Sequence, residues 1–521
     1  MTASIWWLEA VAAMSPIAVI LVAMIFFKKS AATAGIIGLV LTAALAGLVF
    51  GFPELTEFDQ EISVGMVGSF LEAGFTAATI LWIIFGALCV HQLQMKTGAI
   101  EALRDGIGSL SDDPRMVAIL VAWFFALFME GAAGFGTPVA LAAPFLVGFG
   151  VPPVQAVTIV LIGHSVGVSF GAVGTPIMPQ IAVTDWSGLE IAGVTGEIHA
   201  ILGVVMLAAV LVLVTLRARR EGTKLVPIAP WFVLAAAGFL VPMWAISRWV
   251  GPELPTMGAA IIGGACFVVV LRLVRRFRPV STDGDGGEST SPPDKAAMPM
   301  WRAVSPYAIV IGIILVTRLI EPVQAPLMSL QWNWTLWELF EGSFQPLYHP
   351  GTILVLGAAI GGLIQGASRQ VFEQALWDAL KMLVPVTVAL VAMLSISRLM
   401  VHAAMIDVLA EAAATTGQVW PAVAPMVGVL GTFVTGSATA SNILFTDFQV
   451  ATANRLGFDE LRLIGAQGFG AAVGNIICPH NVIAGCATVG IAGREGEVLR
   501  RTIGACLVYV ALGGALVWLL I

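Results

Sequence analysis

Three glycine-rich stretches carry most of the polar side chains that could do chemistry in an otherwise apolar chain. They are residues 130–138 (EGAAGFGTP), residues 435–442 (TGSATASN) and residues 469–481 (FGAAVGNIICPHN). Glycines let the backbone turn sharply and bring N–H groups to a ligand. Neighbouring hydroxyls and amides add hydrogen-bond donors and acceptors. Such groups together suit the binding of a small anion such as a carboxylate.

The candidate substrate-binding residues are glycines, hydroxyls and amides at these turns, with one arginine in an apolar helix. They are Gly131, Gly134, Thr137, Thr175, Arg398, Gly436, Ser437, Thr439, Ser441, Asn442, Asn475 and Asn481. The alternative interpretation is that the turn residues only cap broken helices. Arg398 could attract an anion or pair with an acid such as Asp447, and pairing is favoured because a buried arginine needs a permanent partner.

Glu130 is the predicted proton carrier. A carboxyl group near the bilayer midplane is costly when charged, which favours its protonation there. The alternative is a fixed carboxylate that binds backbone groups of the turn. His480 is the second candidate for proton coupling, whereas His164, in an apolar helix, is interpreted as a packing residue.

Composition indicates which elements position these residues. Of 521 residues, 58% are hydrophobic and 11% are charged, and apolar runs of about 17–25 residues recur, each able to cross a membrane as a helix. The first, residues 11–27, follows Glu9 and precedes Lys28 and Lys29, so it is predicted to be a retained helix and not a signal peptide. The expected fold is an all-α integral membrane protein, with lipids as partners.

The charges predict a threading with twelve crossings. Basic clusters alternate with acidic loops along the chain, and the positive-inside rule then places both termini outside. Arg455 and Arg462 do not fit this threading, since they follow residues 420–454, a predicted helical hairpin whose base is assigned to the outer side. The predicted units are residues 1–225, two connecting helices in 226–278, a flexible cytoplasmic linker at 279–300, and residues 301–521.

An internal repeat relates the two large units. Residues 170–179 match 469–479, residues 128–133 match 433–438, and residues 100–103 match 406–409. Each copy is predicted to hold a re-entrant hairpin (117–149 and 420–454), with first-copy arms of about 13 residues or about 20 Å, and a broken helix (153–184 and 462–488). Opposite flanking charges predict inverted copies, an arrangement typical of transporters.

The glycine-rich motifs resemble those of the lactate permease family. The first stretch is similar to that family's E-G-A-A-G-F-G-x-P run, the second to its T-G-S-x-T-x-S-N run, and residues 479–496 to its C-terminal region. The resemblance implies a bacterial inner-membrane symporter for L-lactate and related 2-hydroxymonocarboxylates, driven by protons. Ala438, where several members carry an acid, and Arg398 depart from the pattern.

Other functions stay open at this point. A sodium-coupled carrier, a carrier of glycolate or another short carboxylate, and a passive anion channel fit the same features. Residues 163–167 (GHSVG) match the G-x-S-x-G motif of hydrolases, but they lie in an apolar helix and not at a strand–turn–helix elbow.

No Walker A, HExxH or CxxC motif and no basic–aromatic block occurs, so we expect no cofactor, metal or nucleic acid, with protons as the coupling ion. No oligomeric state is predicted.

Overall fold

A computed structural model describes residues 3–25, 27, 29–53, 62–108, 111, 113–134, 136–220, 227–277, 298–337, 339–492 and 494–521. Most of the predicted linker, up to residue 297, lies outside these residues, as does the acidic loop 54–61. Within the described ranges, twelve helices are long and apolar enough to cross a membrane. The fold is helical and polytopic, as predicted.

The helices outside the hairpins and broken helices account for most of the chain. The long ones are Ala3–Ile25, Ala31–Leu45, Ile62–Lys96, Gly188–Arg220, Ala229–Trp249, Pro255–Phe277, Met300–Leu319, Pro350–Gln365, Arg369–His402 and Glu495–Leu520; the short ones are Ala99–Gly108, Glu321–Ser329 and Met405–Ala414. Two strands that the sequence did not predict, Trp332–Leu336 and Phe340–Phe344, pair antiparallel with Trp332 opposite Phe344.

Two helix–turn–helix pairs lie where the hairpins are predicted, and their re-entrant course in the membrane stays a prediction. The first hairpin consists of Pro114–Ala132 and Thr137–Gly148, and the second of Trp420–Thr435 and Ala438–Leu456. The first arm has 19 residues, about 28 Å of helix, so the expectation that its arms are too short to span was wrong for this arm. It begins early because Asp113 caps it and Pro114 occupies its first turn.

Both predicted broken helices are also present. The first runs over Pro153–His164, tightens into a 3₁₀ segment at Ser165–Phe170, and resumes at Met178–Ala182. The second consists of Glu460–Gly474 and Pro479–Thr488. The first break therefore starts before the predicted Gly171, because the helix changes its hydrogen-bonding pattern at Ser165.

Packing divides the described helices into two bodies that each draw on both halves of the chain. The scaffold body contains Ala3–Ile25, Ala31–Leu45, Ile62–Lys96, Met300–Leu319, Pro350–Gln365 and Arg369–His402, with Ile62–Lys96 and Arg369–His402 packed along each other. The core body contains the hairpins, the broken helices, and the helices Gly188–Arg220, Ala229–Trp249, Pro255–Phe277 and Glu495–Leu520.

Element order repeats along the chain. A long helix of 35 or 34 residues is followed by a 10-residue helix in each half, then by a hairpin, a broken helix and a long closing helix. This order agrees with the repeat found in the sequence. The opposite orientation of the two copies across the membrane stays a prediction.

The two arginines that did not fit the threading have carboxylate partners. Arg455 lies 3.5 Å from Asp407 and 3.8 Å from Glu411, and Arg462 lies 3.1 Å from Glu197. Because the pairing offsets their charge, these arginines are compatible with an acidic outer side.

Candidate functional site

A cavity of about 40 Å³ lies where the hairpin turns meet the helix breaks. One water needs about 10–15 Å³ of such space, so the cavity holds about three water-sized groups. Its lining comes from all four discontinuities and consists of Glu130, Gly134, Gly136, Val168, Gly171, Ala172, Thr175, Pro176, Gly436, Ser437, Ala438, Thr439, Asn475 and Asn481. Segments more than 300 residues apart in sequence thus form one site.

Glu130 is the buried carboxyl group of this cavity. Its side chain is 5% exposed, and its Oε2 lies 3.7 Å from Nε2 of His164. A Cβ atom on Gly171 would lie 2.2 Å from the other carboxyl oxygen. Glycine at 171 therefore allows the backbone of the first break to approach the carboxyl group.

Asn475 links the first broken helix to the second. Its Oδ1 lies 3.2 Å from Nε2 of His164 and accepts a hydrogen bond of 2.7 Å from Nδ2 of Asn481. Nδ1 of His164 lies 2.6 Å from the carbonyl of Val160. These contacts hold the buried ring beside Glu130, as the packing interpretation expects, and His164 does not line the cavity. Its apolar flanks in the sequence give no sign of the contact with Glu130.

The second hairpin turns its helix N-terminus towards the cavity. Gly436 has φ +77°, a value that favours glycine, and Ser437 then caps the helix by accepting a hydrogen bond from the Ala440 N–H. Ser437, Ala438 and Thr439 all line the cavity. The start of an α-helix carries partial positive charge and free N–H groups, so this wall suits an anion.

The first break carries strained backbone at the cavity. Ala172 and Val173 have φ +42° and +56°, a left-handed conformation that costs about 1–3 kcal/mol per non-glycine residue. Thr175 donates its hydroxyl to the Ala172 carbonyl at 2.6 Å. Asn442 of the second hairpin donates to the Pro176 carbonyl at 2.7 Å. Such bonds hold an unusual turn in one shape.

Six of the predicted residues do not line this cavity. Gly131 packs against the backbone of Met257, Ser441 bonds the Gly428 carbonyl within its own hairpin, and Asn442 braces the first break. Thr137 begins the second arm of the first hairpin. His480 is exposed but lies against both turns, since its ring and Cβ would contact side chains added at Gly136 and Gly436.

Arg398, the sixth, lines a second and larger cavity of about 1350 Å³, which we call the vestibule. The expected pairing with Asp447 is confirmed, and Glu72 lies 3.4 Å from the same guanidinium. The vestibule lies between the two bodies and reaches Met178, at the end of the first break.

The vestibule is acidic. In the described part of the chain, its lining carries the acids Glu72, Asp185, Glu253, Glu341 and Glu460 and the basic residues Arg318, Arg398 and His349. Burial, and secondarily the neighbouring Arg318, lowers the pKa of His349 to about 4, so its ring is neutral at pH 7. Such a cleft concentrates cations, including protons, near its surface.

The GHSVG segment has the structure of a packed helix. Ser165 donates its hydroxyl to the Ile162 carbonyl at 2.7 Å, and a Cβ on Gly163 would lie 2.2 Å from the Ala122 carbonyl. Among the described residues, no cluster of three or more His, Cys, Asp or Glu side chains could hold a metal ion.

Comparison with known proteins agrees with these features. The family model described as L-lactate permease matches residues 9–521. The L-lactate permease of Salmonella typhi is 26% identical, with 98% of this chain and 95% of that protein covered. The glycolate permease of Escherichia coli K12 is 28% identical, covering 97% and 94%.

A solved structure shares the fold. That of Neisseria gonorrhoeae MtrF, described as illuminating a class of antimetabolite efflux pumps, has a TM-score of 0.51 at 15% identity and covers 94% of this chain and 95% of its own. At that identity the likeness concerns the fold alone. The family match spans nearly the whole sequence, and its named relatives are permeases and not hydrolases. This multi-pass bacterial membrane protein therefore belongs to the L-lactate permease family.

Proposed function

We propose that this chain carries lactate or glycolate together with a proton across the membrane by alternating access. The observation that carries the proposal is one cavity in which the N-terminal turn of Ala438–Leu456 shares the lining with the buried Glu130. The names of the relatives supply the substrate class. The cavity supplies the chemistry below.

The helix N-terminus binds the substrate carboxylate. Free N–H groups at Ala438 and Thr439 and the hydroxyl of Ser437 are directed at an anion by the fold of the turn. Asn475, Asn481 and Thr175 line the same space, and their oxygens and amides suit the 2-hydroxyl group. The protein should therefore bind a 2-hydroxy acid more tightly than the same acid without the hydroxyl group.

Glu130 couples the proton to the substrate. Two negative charges about 4 Å apart repel by about 4 kcal/mol at the effective dielectric of a protein interior. The anion therefore binds when Glu130 is protonated, and the neutral carboxyl group can donate a hydrogen bond to it. Nε2 of His164 lies 3.7 Å from Oε2 of Glu130, so a small movement would bring the two atoms within hydrogen-bond distance for exchange of that proton.

The vestibule supplies the access path in the conformation described. It is bounded by both bodies and borders the first break, on the side that the charge pattern assigns to the outside. Movement of the core body relative to the scaffold body would expose the same cavity to the opposite side. This is the alternating-access cycle expected of a secondary carrier.

The test is uptake of labelled L-lactate into proteoliposomes that contain only this protein, with an acid-outside pH gradient and no sodium. Accumulation that a protonophore abolishes and unlabelled glycolate competes supports the proposal. Uptake that requires a sodium gradient at matched pH would show that sodium, and not the proton, is the coupling ion. Flux that never exceeds electrochemical equilibrium would indicate a passive channel. Folded protein is verified in every preparation by size-exclusion chromatography.

A further inference from the structure

Within the described residues, two buried ion pairs cross the cleft between the scaffold body and the core body. In both, the arginine belongs to the scaffold body and the carboxylate to the core body. Arg318, on Met300–Leu319, pairs with Glu253 in the turn after Ala229–Trp249. Arg398, on Arg369–His402, pairs with Asp447 on the second hairpin.

The first pair adjoins the first helix break. Nη2 of Arg318 lies 2.6 Å from Oε1 of Glu253, with side chains 7% and 6% exposed. The backbone of Pro252 and Glu253 lies directly over Gly174, since a Cβ there would be 2.6 Å from the Pro252 carbonyl. Glu253 therefore joins the scaffold to the part of the core that forms the substrate cavity.

The second pair adjoins the second hairpin. Arg398 and Ser397 both donate to Oδ2 of Asp447, and the arginine side chain is 8% exposed. Asp447 lies on the same helix whose first turn lines the substrate cavity. This pair therefore holds the helix that presents its N-terminus to the substrate.

Each arginine has a further partner outside the core body, whereas each acid is held from across the cleft. Arg398 also contacts Glu72, which His402 binds at 2.8 Å, and Arg318 stacks on the Tyr348 ring at 3.6 Å and donates to its carbonyl. Asp447 bonds Ser397 and Arg398, both of the scaffold body. If the two bodies separate, each arginine keeps its partner outside the core body. Each acid loses its hydrogen bonds to the scaffold body, and an unpaired buried carboxylate is costly in free energy.

We propose that Arg318 and Arg398 are positioning residues that hold the core body in the vestibule-open state, and that each releases its core carboxylate, Glu253 or Asp447, when the core body moves. The inference rests on the alternating-access cycle proposed above. A released carboxylate requires water or a proton, so release is linked to hydration of the cleft. These two contacts then bias the equilibrium between the two states.

The experiment measures accessibility of the vestibule and needs no substrate. Thr79, on the scaffold side of the vestibule, is replaced by cysteine in a protein whose exposed Cys266 is serine. The rate of labelling by a membrane-impermeant maleimide is compared for the otherwise unchanged protein, for Glu253→Gln and for Asp447→Asn. Glu197→Gln is the matched control, because Glu197 pairs with Arg462 inside the core body.

We expect labelling to slow by about fivefold in Glu253→Gln and in Asp447→Asn, within the range by which one coupling interaction shifts a two-state equilibrium, and to stay unchanged in Glu197→Gln. Unchanged labelling in folded Glu253→Gln and Asp447→Asn would overturn the inference. So would an equal fall in Glu197→Gln, which would indicate a general loss of structure. Each ion pair is tested by its own variant. If one variant does not fold, the labelling rate of the other variant still decides the inference. Failure of lactate uptake in the parent protein would contradict the proposed substrate without changing the labelling result.

Discussion

At the scale of residues, the proposed mechanism depends on one buried carboxyl group whose charge must be neutralised. Glu130 is buried at a cavity that a helix N-terminus also lines. The helix end favours the substrate anion, whereas an ionised Glu130 would repel it. In the proposed mechanism, the balance between these two effects makes the protonation of Glu130 decide whether the anion binds.

Glu130→Gln tests this balance. Glutamine is neutral at every pH and can still donate a hydrogen bond, so substrate binding should persist while the proton requirement disappears. We expect pH-driven accumulation to fall at least about tenfold, equivalent to about 1.4 kcal/mol, with exchange of internal for external lactate retained. Uptake into proteoliposomes measures pH-driven accumulation, and counterflow measures lactate exchange. Glu373→Gln, which changes an exposed carboxylate, is the control. Normal pH-driven accumulation would remove Glu130 from the mechanism.

Ser437→Ala separates capping from substrate binding. Ser437 caps its helix with a 3.3 Å hydrogen bond from the Ala440 N–H and lines the cavity. Ser368 caps Arg369–His402 with a bond of the same length from Val371 and lies outside the cavity. Each alanine variant should lose about 1 kcal/mol of stability, but only Ser437→Ala should raise the KM for uptake. Equal KM values in the two variants would show that Ser437 caps its helix and does not bind the substrate.

At the scale of elements, the second hairpin is fitted to the second broken helix by close backbone contact. A Cβ on Gly470 would lie 1.9 Å from the Pro425 carbonyl, and one on Gly428 would lie 2.5 Å from the Gln467 carbonyl. No side chain can occupy either position without separating the two helices. The position of the hairpin turn, and hence of the helix N-terminus at the cavity, depends on this contact.

Gly470→Ala should therefore destabilise the protein by about 1–3 kcal/mol through overpacking. Gly504→Ala is the matched control, since nothing lies within 4 Å of its Cβ position and alanine favours a helix by about 0.5–1 kcal/mol. Thermal unfolding in detergent should show a lower midpoint for the first variant and an equal or higher one for the second. An unchanged midpoint for Gly470→Ala would contradict the close packing.

At the scale of the whole molecule, two bodies enclose a vestibule on the side that the charges assign to the outside. The strand pair that contains Ser343 borders this cleft. Glu373, near the start of Arg369–His402, is 59% exposed and lies at the end assigned to the cytoplasm. The two positions should therefore face opposite sides of the membrane.

Single cysteines test this orientation. In intact cells, an impermeant maleimide should label Ser343→Cys and should label Glu373→Cys only after permeabilisation, both in the Cys266→Ser background. The Cys266→Ser protein without a new cysteine is the control. The reverse pattern would invert the topology, and labelling of both positions from outside would contradict the threading.

Local features of the chain were predictable from sequence because they depend on neighbouring residues. Composition and spacing predict the apolar runs, the glycine-rich turns and a break in the first broken helix, although not its start at Ser165. The predicted end of the first arm at Met129 is too early, because Glu130, Gly131 and Ala132 still belong to the helix Ala126–Ala132. The strand pair was missed, since its five-residue strands carry little periodic signal.

The sequence by itself determined the membrane class, the breaks and the family, because hydropathy and short motifs are properties of contiguous residues. Only the tertiary structure decided which polar groups meet. His164 and Asn475 are 311 positions apart, Arg318 meets Glu253, and Arg398 lies in the vestibule and not at the hairpin turns. Such pairs follow from the way rigid helices pack, and a side chain's type and neighbours do not encode which distant helix it will face.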